Sequence, residues 1–139
     1  MNATVTDSID AAENASDAEV ARYEKAFRET RRTLDESIES LMILEEFESD
    51  PLRREDIASK RRELQTSRSD LVRANIAFHT GRATMDPPSP QLVSEIAALA
   101  KEAVDTTVER TTASAVLTLA TSALKKFAQI QKIGEGAPS

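Results

Sequence analysis

LMILEEFESDPLRREDI, residues 41–57, is the stretch that decides how this chain folds. It runs from an apolar and acidic segment through Ser49-Asp50-Pro51 into a segment rich in arginine. The Asp50 carboxylate can accept a bond from the free N–H groups of a starting helix, and Pro51 has no N–H to lose in a first turn. The tripeptide therefore ends one helix and begins another.

Working outward from that point, the same period appears on both sides. Upstream, Val20, Phe27, Leu34 and Leu41 recur every seven residues, with Tyr23 and Leu44 three positions further on in their heptads. Thr30 and Ser37 fill the remaining sites of that second row, a leaner seam than a dedicated coiled coil uses. Downstream, Ile57, Leu64, Leu71 and Phe78 repeat with the same spacing, and Gly81 follows as a stop. The pattern predicts helices from about Asp17 to Glu48 and from Pro51 to about His79. A link this short requires an antiparallel hairpin over residues 17–79. Pairing the stripes in reverse order sets Leu41 with Ile57, Leu34 with Leu64, Phe27 with Leu71 and Val20 with Phe78. The midpoint of these pairs is residue 49, inside the turn that Asp50-Pro51 marks independently.

Charge divides at the same place. Residues 17–50 hold eleven acidic and five basic side chains, whereas residues 51–79 hold seven basic and four acidic ones. Helices of opposite sign favour each other modestly. The register sets Glu45 beside Arg54, but it also sets Arg31 against Arg68.

The remainder divides by composition. Residues 1–16 are small, acidic and hydroxyl-rich, with neither the basic start nor the apolar run of a secretory signal, and read as a disordered tail. Residues 80–89 (TGRATMDPPS) form a Pro/Gly linker, followed by a C-terminal helix over 90–133 and a flexible tail over 134–139. Unbroken, that last helix would reach roughly 65 Å at about 1.5 Å per residue, longer than either hairpin arm. It must overhang or bend. Asp105-Thr106-Thr107 and Thr111-Thr112 are its weakest helix formers. The fold class is thus all-α: a long hairpin with a third, kinkable helix, making a three-to-four-helix bundle.

Several chemistries are excluded outright. Without cysteine there is no disulfide scaffold, thiolate metal site or thiol nucleophile. A single histidine, His79, cannot supply a site that needs two imidazoles. Three glycines are too few for a phosphate-cradling loop, and a net charge of −6 disfavours general phosphate-backbone binding. The basic second helix lacks the interleaved aromatics of a nucleic-acid surface. Glu45, Glu46, Glu48 and Asp50 lack the spacing of a calcium loop and read as a solvated acidic tip. No catalytic residue, metal site or cofactor is therefore assigned.

The most unusual stretch is residues 111–124, TTASAVLTLATSAL, fourteen residues without a charge. At 100° per residue, Val116, Leu119, Ala120, Ala123, Leu124, Phe127 and Ile130 form an apolar face. Opposite them stand Thr111, Ser114, Thr118, Thr121 and Ser122, small and polar where solvent faces elsewhere carry Glu and Arg. These five are the candidate interface residues. The plain alternative is a deeply buried helix in a monomeric bundle; membrane insertion would need a run nearer 20 residues.

The segment Asp86-Pro87-Pro88-Ser89-Pro90-Gln91-Leu92-Val93-Ser94-Glu95-Ile96 resembles the central loop of type III secretion needle subunits. Lys125-Lys126-Phe127 through Ile133 is similar to the end of their C-terminal helix. The resemblance covers about Asp70 to Ile133 and leaves the N-terminal hairpin unexplained. It implies a long C-terminal helix that polymerises, hence a secreted filament or needle-like subunit. The residues themselves indicate a non-enzymatic protein acting through protein contacts, as a structural, adaptor or assembly subunit. Its partner would be another protein or a second copy met through helical faces, with nucleic acid and membrane disfavoured. An enzyme or ligand binder with an interhelical pocket is the contrasting expectation. Its compartment would be the cytoplasm, or the exterior after export without a cleaved signal peptide.

Overall fold

The computed structural model describes residues 3–130, with side chains described from Asp17 onward. The expected tail at 134–139 and the last three residues of the 90–133 segment lie outside the described residues. Four α-helices account for most of the described residues: α1 (Ala3–Phe47), α2 (Pro51–His79), α3 (Pro90–Asp105) and α4 (Ala113–Ala128). Among the described residues there is no strand, and no helix is long and apolar enough to cross a membrane.

Local chemistry accounts for the helix ends. α1 begins at Ala3, within the segment read as a tail, where neither glycine nor proline interrupts a helix. Its other end gives way at Glu48-Ser49 to Asp50, whose carboxylate accepts from the Arg53 N–H at 3.3 Å and so opens α2. α2 closes at Gly81, which adopts φ +77°. Gly81 N–H donates to Phe78 O at 3.2 Å and Arg82 N–H to Ala77 O at 2.7 Å, satisfying carbonyls that a helix end otherwise leaves free. Ser89 caps α3 through the Leu92 N–H at 3.0 Å.

The 90–133 segment is not one helix. After Asp105 the chain extends through Thr106 and Thr107, makes a single 3-10 turn over Val108–Arg110, extends again, and starts α4. Threonine hydroxyls form both borders. Thr106 Oγ1 donates to Glu102 O at 2.7 Å, and Thr112 Oγ1 accepts from Ala115 N–H at 3.1 Å. Such side chains offer the backbone local partners that compete with a continuing helix.

Helix α1 occupies the centre, packed against α2, α3 and α4, whereas α2 has no packing contact with α3. Its buried side chains include Tyr23, Phe27, Leu34, Ile38 and Leu41, together with Thr30, Thr33 and Ser37. Thr33 Oγ1 bonds back to Glu29 O at 2.9 Å. Of the eight seam residues, Phe27, Leu34, Leu41, Ile57, Leu64 and Leu71 are buried, and Val20 and Phe78 are half-buried. Phe78 packs on Tyr23, ring centroids 4.3 Å apart. Phe127 from α4 joins them, 5.6 Å from Tyr23 and 6.4 Å from Phe27. Burial in this cluster raises the Tyr23 hydroxyl pKa far above its ordinary value, and the neighbouring Glu24 charge adds to the effect.

Polar pairs join the elements. Glu24–His79, Asp35–Arg68 and Glu45–Arg61 link α1 to α2, and they climb α2 as they descend α1. Glu45 thus takes its hydrogen bond from Arg61, at 2.7 Å, and not from Arg54, whose guanidinium donates to Glu48 O. Asp35 lies between the two arginines set in conflict by the register, 2.9 Å from Arg68 and 3.9 Å from Arg31. Lys126 and Glu95 join α4 to α3 at 3.2 Å. The linker is tied down by Arg22 Nε donating to Pro88 O at 2.8 Å and Asp86 N–H donating to Ile130 O at 2.6 Å.

Candidate interaction faces

Helix α4, without charge as far as Leu124 and closed by Lys125 and Lys126, is buried along one side only, through Val116, Ala120, Ala123 and Phe127, continuing to Ile130. The helix packed most extensively against the other three is α1. On the far side of α4, Ser114 and Thr118 are exposed and Thr121 and Ser122 half-buried. These four follow one another around a single helical face. Thr111 does not belong to that face. It precedes the helix in extended backbone, φ −133° and ψ 172°, and is half-buried. Four of the five candidate residues therefore share one face, open at Ser114 and Thr118 and partly covered at Thr121 and Ser122.

Thr111 instead lines a cavity of about 60 Å³ between α1 and the α3–α4 connection, with Ser37, Ser40, Thr106 and Val116. The Ser37 hydroxyl there is buried and has no bonded partner. A space of this size suits a few water molecules, well short of the roughly 300–1,000 Å³ of a small-molecule cleft. His79 faces the Glu24 carboxylate and lies edge-on to Phe78 and Tyr23. Among the described residues no group of three or more acidic or imidazole side chains is arranged to hold a metal ion.

A second open surface lies where α1 meets α2. Phe47 is 79% exposed and Leu52 82% exposed, on opposite sides of the turn. Beside Phe47 runs a groove of about 310 Å³ lined by Ile43, Leu44, Phe47, Val108 and Glu109. The turn is rigidly held. Asp50 N–H donates to Glu48 Oε2 at 3.1 Å, and Arg54 places two donors on Glu48 O at 2.9 and 2.6 Å. The Asp50 N–H and Arg53 lower the Glu48 pKa, and the Arg61 hydrogen bond lowers that of Glu45. The sequence reads this end as the hairpin turn with a solvated acidic tip and does not single out Phe47 or Leu52. The missed signal was periodic: both Phe47 and Leu52 fall outside the core positions of their heptads. The chain matches no protein-family model, no curated protein and no solved structure.

Proposed function

We propose that this is a non-enzymatic helical protein that works through protein–protein contacts, as an adaptor or assembly subunit. Its proposed architecture is an antiparallel α1/α2 hairpin folded about residue 49, with α3 and α4 laid along α1. The observation that carries the functional reading is the strip Ser114–Thr118–Thr121–Ser122. It is uncharged on a chain in which charged residues make up 30% of the sequence, and two of its members are exposed. Solvation alone gives no reason to leave the turns before exposed Lys125, which lies on the same face, without charge. Small hydroxyl side chains do permit another helix to approach closely. Nucleic acid is the poorer partner, because α2's arginines and lysine are engaged within the chain: Arg53–Glu48, Arg54–Glu48 O, Lys60–Asp56, Arg61–Glu45, Arg62–Glu55, Arg68–Asp35 and Arg73–Asp70. A filament subunit is the narrower form of the same proposal, although two short helices after the linker do not favour it.

The test is site-specific photo-crosslinking in the cells that make the protein. A photoreactive residue at position 118 should yield one discrete protein adduct, and the same residue at exposed Arg73 should yield none. Thr118→Glu should remove the partner without changing the melting temperature, since position 118 is open within the chain. Equal labelling at both positions, or none at 118, would end the proposal.

A further inference from the structure

Ser37 is 2% exposed on the central helix, and its hydroxyl has no hydrogen-bond partner among the described residues. One turn earlier, Thr33 meets the same demand by donating to Glu29 O at 2.9 Å. A buried hydroxyl left unbonded is costly, so its partner is to be sought in the space it lines. That space is the cavity of about 60 Å³ where three stretches of chain converge. Ser37 and Ser40 come to it from α1, Glu102 and Thr106 from the end of α3, and Thr111 from the far side of the break. Every polar side chain in this lining carries oxygen, and no lysine, arginine, histidine, asparagine or glutamine is among them. Two of the hydroxyls have given their protons away, Thr106 to Glu102 O at 2.7 Å and Thr111 to Thr112 O at 3.4 Å. Their oxygens can therefore only accept. The Glu102 carboxylate has neither an ion pair nor a hydrogen bond among the described residues. Acceptors thus outnumber donors, the wrong balance for an anion and the right one for a positive charge. A single acidic residue is too few for a divalent ion such as calcium, which takes several.

We infer that this cavity binds a compact monovalent cation, an alkali ion or an ammonium group, through the oxygens of Ser37, Thr106, Thr111 and Glu102. The ion takes part of the space and water the rest, and that water accepts the Ser37 proton. The ligands come from α1 and from both sides of the 106–112 break, so the bound ion ties the start of α4 to the central helix. Affinity is modest, since only one ligand carries a full charge. The site lies apart from the α4 strip, and neither proposal rests on the other.

Thermal melting of the full chain in sodium, potassium, ammonium, methylammonium or choline chloride, all at equal ionic strength, tests it, because general screening is then constant. An ion that binds the folded chain should raise the melting temperature as its concentration rises, whereas choline, too large for the cavity, should not. The readout is the increment over choline, so a variant of lower basal stability remains informative. Ser37→Ala and Glu102→Gln should each weaken binding by about ten-fold or more, read as a shift of the increment to higher ion concentration. Glu109→Gln, which removes a carboxylate outside the cavity, should leave the increment unchanged. An increment confined to ammonium and methylammonium identifies an amine, and one confined to sodium or potassium an alkali ion; either supports the inference. Equal melting temperatures in all the salts would show that the cavity takes water only and would overturn it. An increment that survives both Ser37→Ala and Glu102→Gln would overturn it too, by placing the ions elsewhere on the acidic surface.

Discussion

Asp35 settles a conflict that the heptad register creates. Arg31 and Arg68 fall near each other across the two arms, and the Asp35 carboxylate lies between them. All three side chains are close to half exposed, so the arrangement is screened by water and contributes modestly. Asp35→Ala is expected to cost about 1 kcal/mol or less in denaturant unfolding, with the cost growing as salt is removed. Leu34 is a sharper case. It is fully buried on the central helix, and truncation leaves a void that rigid neighbours cannot refill. Leu34→Ala should lower unfolding free energy by about 2–5 kcal/mol. A cost below about 1 kcal/mol would mean that the seam is not the core.

Among elements, the helix ends were the most legible. Asp50-Pro51, Gly81 and Ser89-Pro90 act through their own backbone chemistry, and each borders a helix where the sequence placed the border. Asp50→Ala removes the acceptor for Arg53 N–H and should destabilise by about 0.5–2 kcal/mol. Gly81→Ala isolates a purely conformational cost. An added methyl would meet nothing within 4 Å, yet φ is +77°, so a loss of about 1–2 kcal/mol by thermal melting is expected. The 106–112 break was legible only as a weak point. Threonines lower helix propensity slightly, and nothing local says whether a weak stretch bends, extends or stays helical. Packing α3 and α4 on the same central helix decided it.

Across the whole molecule, carboxylates in ion pairs tie the arms together and make stability depend on pH. Glu45 is held below its ordinary value by Arg61, Glu48 by the Asp50 N–H and Arg53, and Glu95 by Gln91 and Lys126. A carboxyl lowered in the folded state binds its proton more weakly there than in the unfolded chain. Its stabilisation is therefore present above the ordinary value of 4.5 and is lost as pH falls through the lower folded values. Melting temperature should decline steadily below about pH 4.5. Glu45→Gln should lower the neutral plateau while leaving the acid end little changed, and so flatten that limb. An unaltered acid limb would show that the Glu45–Arg61 pair contributes nothing.

The sequence by itself determined the helical class, the α1–α2 turn, the caps and the residues available to the core. These follow from period, proline, glycine and short polar side chains, whose effects act within a turn or two. Tertiary structure alone decided which helix became central, that Arg61 and not Arg54 reaches Glu45, and that Phe78 lies against Tyr23. It also decided that Ser114 and Thr118 face outward while Thr30 and Ser37 do not. Those outcomes depend on how three helices divide the surface of a fourth. Burial is a property of what arrives from elsewhere in the chain, and one helix's pattern specifies an apolar side without naming the neighbour that covers it.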